Sequence, residues 1–419
     1  MARRRIVVVT YFFPPSTAVG GARWAAMARH LRAIGHEVTV VTSRVHGEAA
    51  DDQVVPTWDL AGTDVLRRLL RRPALAQPGA AVADTPAPGL LTRVLVPDAH
   101  VVSWLPGALS AVRRLLRRER VDALVTSGPP NSAHLVGLAL GRERPAWLAD
   151  FRDGWRFEPL APPWPTRAQR TLDARLEAAV ARRADAVLGA TRPIAEDFAA
   201  RLGARASWVP NGWDPGMAAG AGPGRSPVAR DGAAALAVHT GTLSGPRGRD
   251  PRPLLRALRR VNDERVASSR GVRLVLAGRP TVEDERLLSE AALGDDVLRH
   301  VGLLSRRDAV ALQREADALV LLTGTHRSEA TGKLFEYLHA GRPILALARD
   351  NEAQHIVEQT RTGLTVDPTD EAAIVAGLRR VADGTLGELY APRELERFTY
   401  PGPAEEVAAL VEEALARRL

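Results

Sequence analysis

Through most of the chain, short runs of β-branched and apolar residues alternate with longer stretches whose apolar positions recur at helical spacing. In the N-terminal half the strand-like runs are RIVVVT at 5–10, EVTVVT at 37–42, DALVTS at 122–127, AWLAD at 146–150 and DAVLGA at 185–190. Between the first two lies GGARWAAMARHLRAIGH, with Gly35 where a helix of that length stops. Strand, helix and strand at this spacing predict right-handed crossovers and a parallel, doubly wound sheet. The alternation lapses near SWVPNGWDP and through the Gly-, Ala- and Pro-rich stretch 216–235, which has linker composition. It resumes with ALAVHTG at 235–241, VRLVLAG at 272–278, DALVLL at 317–322 and PILALA at 343–348, so a second sheet of the same kind is expected. The tail from residue 403 reads as one amphipathic helix. The predicted fold class is α/β: two doubly wound domains at 1–208 and 236–400, a linker at 209–235, a terminal helix at 401–419 and a cleft between the domains. In such sheets ligands bind beyond the carboxyl ends of the strands, which directs attention to the loops there.

The length of 419 residues suits two domains, and 45% hydrophobic with 25% charged residues is ordinary for globular chains. No run of about 18 apolar residues occurs that would cross a membrane. The basic, then apolar start MARRRIVVVTYFFPP is stopped by two prolines and lacks a small-residue cleavage site, so it reads as a buried strand rather than a targeting segment. The absence of cysteine excludes disulfides, thiolate metal sites and cysteine nucleophiles, and fits the cytoplasm. A net charge of +8 is mild for this length, and the heavy use of arginine over lysine has the look of a GC-rich coding bias. Residues 43–100 are loose in pattern and are read as an excursion near an acceptor site. The clusters LRRLLRRPAL at 66–75 and VRRLLRRER at 112–120 read as solvated helix faces with Leu inward, or as peripheral contacts to an anionic membrane. Nucleic acid is not an expected partner, because no basic strand with interleaved aromatics and no zinc-finger spacing appears.

The loops after the strands carry the candidate chemistry. Gly20 and Gly21 open a helix and offer backbone N–H groups to an anion, without the G-x-G-x-x-G spacing of a dinucleotide site. His134 stands at the start of a helical run, and Asp150 and Asp153 flank Arg152 at a strand end, either as a structural ion pair or as hydroxyl-orienting groups. Gly241, Gly245 and Gly248 allow close backbone approach, with Arg247 and Arg249 beside them. Gly278 ends another strand, and the turn around Leu303 offers backbone groups to a base edge. Thr331, Gly332 and Lys333 enter a helix whose apolar face is Leu334, Phe335 and Leu338. Lys333 is the only lysine in the chain. A cation at the positive end of a helix dipole is disfavoured unless an anion meets it there. Glu336, one turn deeper, is placed to accept hydrogen bonds from a ribose.

Taken in order, VVTYFFPPSTAVGGARWAAMARHL, SGPPNSAHLVGLAL, ADFRDGW, VPNGWD, GTLSGPRGRDP and GKLFEYLHAGRPIL make nearly the whole chain resemble the retaining GT-B glycosyltransferases of glycosyltransferase family 4. The resemblance implies an N-terminal Rossmann-like acceptor domain, a C-terminal Rossmann-like nucleotide-sugar domain, and a last helix that crosses back to the former. It implies that Gly20 and Gly21 face the donor diphosphate and sugar, that Arg247 and Lys333 bind phosphate, that Glu336 binds ribose and that His134 lies near the transferred sugar. Gly241, Thr242, Gly278, Leu303, Glu329, Thr331, Gly332 and Leu334 would complete the donor site, and Asp150, Arg152 and Asp153 the acceptor side. Two positions depart from the family pattern: Ser328 stands where the first motif glutamate belongs, with Glu329 one place late, and Thr242 stands where an arginine is usual. The implied activity moves a sugar, from UDP on family frequency, to a small-molecule, lipid-linked or secondary-metabolite acceptor. No cofactor is expected: no D-x-D lies near a strand end, and Arg247 and Lys333 would take the leaving group's charge. A non-hydrolysing sugar-nucleotide epimerase shares the architecture, and a non-catalytic nucleotide-binding relative is the other alternative.

Overall fold

A computed structural model describes residues 2–16, 19–47, 51–60, 94–217, 224–228, 230, 232–245, 248–265 and 269–418. The chain divides into two units, Met1–Asn211 with Tyr400–Leu419, and Gly212–Thr399.

In the first unit the strands are β1 (Arg5–Thr10), β2 (Glu37–Ser43), β3 (Val54–Thr57), β4 (Ala123–Gly128), β5 (Ala146–Phe151), β6 (Ala186–Gly189) and β7 (Ala206–Trp208). Among the described residues they form one parallel sheet in the order β3-β2-β1-β4-β5-β6-β7. Both faces are covered, which is why β1 is apolar at successive positions rather than at alternate ones. Ile6 and Val8 join Trp24, Met27 and Leu31 of the helix Val19–Ala33 on one face. Val7 and Val9 join Trp104, Trp147 and Phe151 on the other. The helix Gly402–Ala416 also packs in this unit, with Val407, Val411 and Ala414 in the first of these cores. A bidentate pair ties it down, Arg4 Nε and Nη2 donating to Glu412 at 2.7 and 2.6 Å.

The sequence pattern did not indicate β3 or β7. β3 lies within the stretch read as loose, has four residues and contains Pro56. It sits at the sheet edge, where a missing N–H on the outer side costs no ladder bond. Three-residue β7 is too short to show a period.

The second unit holds β8 (Ala234–Thr240), β9 (Gly271–Ala277), β10 (Leu298–His300), β11 (Ala318–Leu322), β12 (Ile344–Leu347) and β13 (Gly363–Val366). Among the described residues these form a parallel sheet in the order β10-β9-β8-β11-β12-β13. Leu254 and Leu258 of the helix Arg252–Asp263, with Val375 and Leu378 of the helix Glu371–Asp383, share its main core with Leu274 and Leu345. The α/β class with two parallel sheets is thus as the pattern of the chain required.

The basic cluster at 66–75 lies outside the described residues. The one at 112–120 falls largely on the helix Leu105–Arg118, where Arg113, Arg114, Arg117 and Arg118 are exposed while Leu115 and Leu116 pack against the core. Any attraction of this face to an anionic surface is electrostatic, since its leucines are already in use.

One polar knot lies inside the first unit. Asp150 is fully buried, and its carboxylate accepts from Arg23 Nη2 at 2.9 Å, Trp24 Nε1 at 2.7 Å and Ser127 Oγ at 2.8 Å. Arg23 also donates to the carbonyls of Val209 and Pro210 at 2.9 Å and to Asn211 Oδ1 at 3.0 Å. Burial alone would push the Asp150 carboxyl up, but Arg23 and the neutral donors outweigh it and hold its pKa below the ordinary value. Stripping one partner from such a pair leaves an uncompensated buried charge. Asp150→Ala is therefore expected to lower the stability of the first unit by about 3–5 kcal/mol, read as an earlier urea midpoint. An unchanged midpoint would mean that the knot is dispensable.

Candidate active site

At the carboxyl edge of the second sheet, loops after β8, β9 and β11 meet around Lys333. Lys333 is the second residue of the helix Gly332–Leu338. Its Nζ donates to the Thr242 carbonyl at 3.0 Å and lies 3.2 Å from His239 Nε2. His239 is fully buried on β8, with Nδ1 2.9 Å from the Val320 carbonyl. Nε2 in turn lies 3.1 Å from the Thr242 carbonyl, and a neutral ring carries one proton; placed on Nδ1, at the shorter of the two carbonyl contacts, it leaves Nε2 as an acceptor for the ammonium. Burial, then the nearby Lys333 charge, pushes the His239 pKa down to about 3, which keeps the ring neutral. Burial and then Arg249 push the Lys333 pKa down to about 7, against the smaller opposing pull of Glu329. With the ring in that tautomer, two of the three ammonium protons are placed on protein acceptors, and one remains for a ligand.

The backbone around Lys333 is shaped to leave it room. Gly241 has φ +95°, and a Cβ there would stand 2.7 Å from Lys333 Cε. Only glycine meets both conditions. Gly278 packs on the Gly241 backbone and donates its N–H to the Gly302 carbonyl at 2.9 Å. One residue on, Leu303 is 67% exposed, an apolar surface beside backbone groups at the loop after β10. Thr331 begins the helix without capping it, and its buried Oγ1 has no partner among the described residues. Gly332 is exposed at the same helix start. Leu334 is in the core, and its N–H is taken by the Thr331 carbonyl at 3.0 Å.

Glu329, one place late against the family spacing, still brings its carboxylate into this group. Oε2 accepts from Gly324 N at 2.7 Å, while buried Oε1 has no hydrogen-bond partner among the described residues and lies 3.8 Å from Arg249 Nε. Arg249 Nη1 donates to the Thr242 carbonyl at 3.3 Å. Thr242, at the place of the family arginine, thus contributes a carbonyl that gathers cations. Arg247 lies outside the described residues. Glu336 is partly exposed, its Oε1 3.3 Å from Arg306 Nη2 and its Oε2 3.4 Å from Gln313 Nε2. His239, Gln313 and Arg306 were not singled out from the sequence. His239 sits inside an apolar run, and the odd imidazole in ALAVHTG is the one signal that pointed to it.

At the carboxyl edge of the first sheet the expected residues part company. Arg152 donates to the carbonyls of Gly128 at 2.9 Å and Pro129 at 2.6 Å. Its guanidinium occupies the space a side chain at Gly20 would need, which accounts for glycine at the start of that helix. Gly21 packs against the backbone of Phe13. Asp153 is partly exposed beside Arg152. Asp150 does not face a ligand: its carboxylate is spent on Arg23, Trp24 and Ser127, which corrects the expectation that it orients an acceptor. His134 is likewise fully buried, 2.9 Å from Thr126 Oγ1 and stacked on Phe151 at 4.2 Å. Burial pushes its pKa down to about 3, which keeps the ring neutral, and its buried Nε2 has no hydrogen-bond partner among the described residues.

Another polar group lies along this edge, also missed from the sequence. Asp98 accepts from the backbone N–H groups of His100 at 3.0 Å and Ser132 at 2.9 Å. The His100 ring lies 4.3 Å from Tyr11, whose hydroxyl donates to Asp59 at 2.7 Å. Among the described residues no cluster of three or more potential metal-ligating side chains occurs. A groove of about 500 Å³ beside the helices Arg252–Asp263 and Val282–Ala291 is lined by arginines already engaged, Arg252 by Asp250, Arg256 by Glu371 and Arg260 by Glu264.

Two doubly wound parallel units, one with a cationic and glycine-lined loop cluster at its carboxyl edge, define the GT-B class of nucleotide-sugar enzymes. Residues 20–212 match the glycosyl transferase 4-like domain and residues 235–383 match the glycosyl transferases group 1 domain. The chain belongs to the family 4 glycosyltransferases, a retaining family that takes its sugar from a nucleotide-sugar. Comparison with curated protein sequences gives no match. Among solved structures, a glycosyltransferase from Rickettsia africae is 10% identical, with TM-score 0.58 and 99% of both chains covered. The lipopolysaccharide outer core galactosyltransferase WaaB is 16% identical, with TM-score 0.58 and the same coverage. A protein described as a UDP-N-acetylglucosamine 2-epimerase from Listeria monocytogenes is 13% identical, with TM-score 0.54, covering 99% of this chain and 98% of the other. At these identities the likeness is one of fold.

The lowered Lys333 pKa has a pH consequence. Below about pH 7 Lys333 is an ammonium and above it an amine, and an anion bound beside it would favour the proton. Affinity for UDP, measured by calorimetry, is expected to fall about tenfold between about pH 7 and pH 8.5, with proton uptake on binding. The Lys333→Met variant should lose this slope; a slope of equal size in that variant would assign it to another group.

Proposed function

We propose that the chain transfers a hexose from a UDP-sugar, with retention and without a metal, to a hydroxyl of a small-molecule or lipid-linked acceptor. The observation that carries this reading is the Lys333 ammonium, held by His239 and the Thr242 carbonyl with one proton to spare at an uncapped helix start. As the bond between the anomeric carbon and the diphosphate breaks, charge builds on the leaving phosphate oxygen. A fixed cation and helix-start N–H groups aimed at it stabilise that charge. The acceptor oxygen bonds to the anomeric carbon on the face the phosphate leaves, and its proton passes to the departing phosphate. In this assignment Arg249 and Arg247 support Lys333, the open oxygen of Glu329 accepts from a sugar hydroxyl, and Glu336 binds the ribose. Leu303 lies against the base.

For the acceptor, Arg152, Asp153, Asp98 and His100 are the polar groups at the carboxyl edge of the first sheet. Among the described residues no helix is long and apolar enough to cross a membrane. Contact with an anionic lipid surface would come through the exposed arginines of the helix Leu105–Arg118.

Incubation with UDP-, GDP- and dTDP-sugars, with and without an acceptor panel, tests the reading. Product bearing the sugar on an acceptor supports it, and conversion of the donor sugar to its epimer without acceptor supports the epimerase instead. Lys333→Ala is expected to lower kcat at least ~100-fold, the loss typical of one oxyanion-stabilising group. A near-wild-type kcat at saturating donor would remove Lys333 from the chemistry.

A further inference from the structure

The helix Arg306–Glu315 turns two side chains toward the single carboxylate of Glu336. Arg306 and Gln313 are seven residues apart, about two helical turns, and so lie on one face. Arg306 Nη2 stands 3.3 Å from Oε1 and Gln313 Nε2 donates to Oε2 at 3.4 Å. Each is anchored from behind. Gln313 is buried and also donates to Thr240 Oγ1 at 3.1 Å. The guanidinium of Arg306 lies 5.4 Å from the centre of the Trp213 ring, and Trp213 is buried with its backbone N–H on the Phe398 carbonyl at 2.8 Å.

Arg306 occupies the first position after the Ser305 cap, where a cation works against the helix dipole. The Glu336 charge and the face of Trp213 offset that cost. An ionised carboxylate has about four acceptor sites, two on each oxygen. With one site per oxygen facing this helix, one per oxygen remains for a ligand, and the side chain is 28% exposed. A vicinal diol, whose two hydroxyls donate in parallel, matches two oxygens held in a fixed plane.

We propose that Arg306 is a positioning residue for nucleotide recognition: with Gln313 it fixes the plane of the Glu336 carboxylate, so that each oxygen receives one ribose hydroxyl. This rests on the assignment of Glu336 to ribose given above. It makes the discrimination between ribose and deoxyribose a property of a side chain that does not itself touch the sugar.

The test compares UDP with 2′,3′-dideoxy-UDP by calorimetry on the full chain and on Arg306→Ala, Arg306→Lys and Glu336→Gln. Wild-type protein is expected to prefer UDP about tenfold or more, as two hydrogen bonds to a charged group allow. Glu336→Gln should bring the ratio close to one. Arg306→Ala should cut it about fivefold while leaving dideoxy affinity within about twofold of wild type, a control that also reports a folded site. Arg306→Lys should recover part of the ratio, keeping the charge without the planar fork. If Glu336→Gln collapses the ratio and Arg306→Ala leaves it unchanged or raises it, the positioning role is overturned and the ribose assignment stands. If Glu336→Gln leaves the ratio intact, the ribose assignment itself fails and takes this inference with it.

Discussion

The contact between Arg23 and Asp150 is the constraint on which the first unit is arranged. It joins the first helix, the carboxyl ends of β4 and β5 and the segment 209–211 at one buried point. Every donor of Arg23 and both oxygens of Asp150 are placed on partners, which is the condition under which a dry ion pair is tolerated. The strand ends around it are therefore held in fixed positions, and the loops that follow them begin from a rigid base. Arg152 reaches the Gly128 and Pro129 carbonyls from such a base, two residues beyond Asp150.

The second unit solves a different problem, that of keeping one amine at a spot where no anion among the described residues pairs directly with it. A neutral imidazole and a carbonyl accept two of its protons, while the carboxylate of Glu329 stays beyond direct pairing. The amine is left electrically hungry. A guanidinium in its place would present a flat fork to a space fitted to a narrow chain. That is a physical reason for a single lysine among so many arginines.

Much of this was legible in the sequence because β-branched runs of five to seven residues mark buried strands, and ligand loops follow strands in this architecture. Gly241, Lys333 and Glu336 could be found that way. The strands β3, β7 and β13 could not: β3 is broken by Pro56, β7 has three residues and β13 opens on Gly363, so none stands out as an apolar run. Nor could the partner of Asp150. Arg152 is its nearest cation in sequence, yet strand alternation turns Leu148 and Asp150 toward the first helix. There Arg23, 127 residues away, is the cation that meets it. The burial of His134 was hidden as well: a helix-start histidine looks exposed in sequence, but here the Phe151 ring and the sheet enclose it. Side-chain direction and distant pairing are properties of the packed chain and leave little trace in local composition.

Arg23 has one more contact, its backbone carbonyl accepting from the Tyr400 hydroxyl at 3.3 Å. The chain leaves the first unit at Asn211 and re-enters it at Tyr400, so one residue touches both crossing points. On the other side, Trp213 and Thr399 form a bridge that ties the start of the second unit to its end. In topological terms Gly212–Thr399 is an insertion with its two ends clasped together, and each unit closes its own gap. A chain so arranged has the layout of two separable modules threaded as one, and its natural cut sites are a pair rather than a single linker.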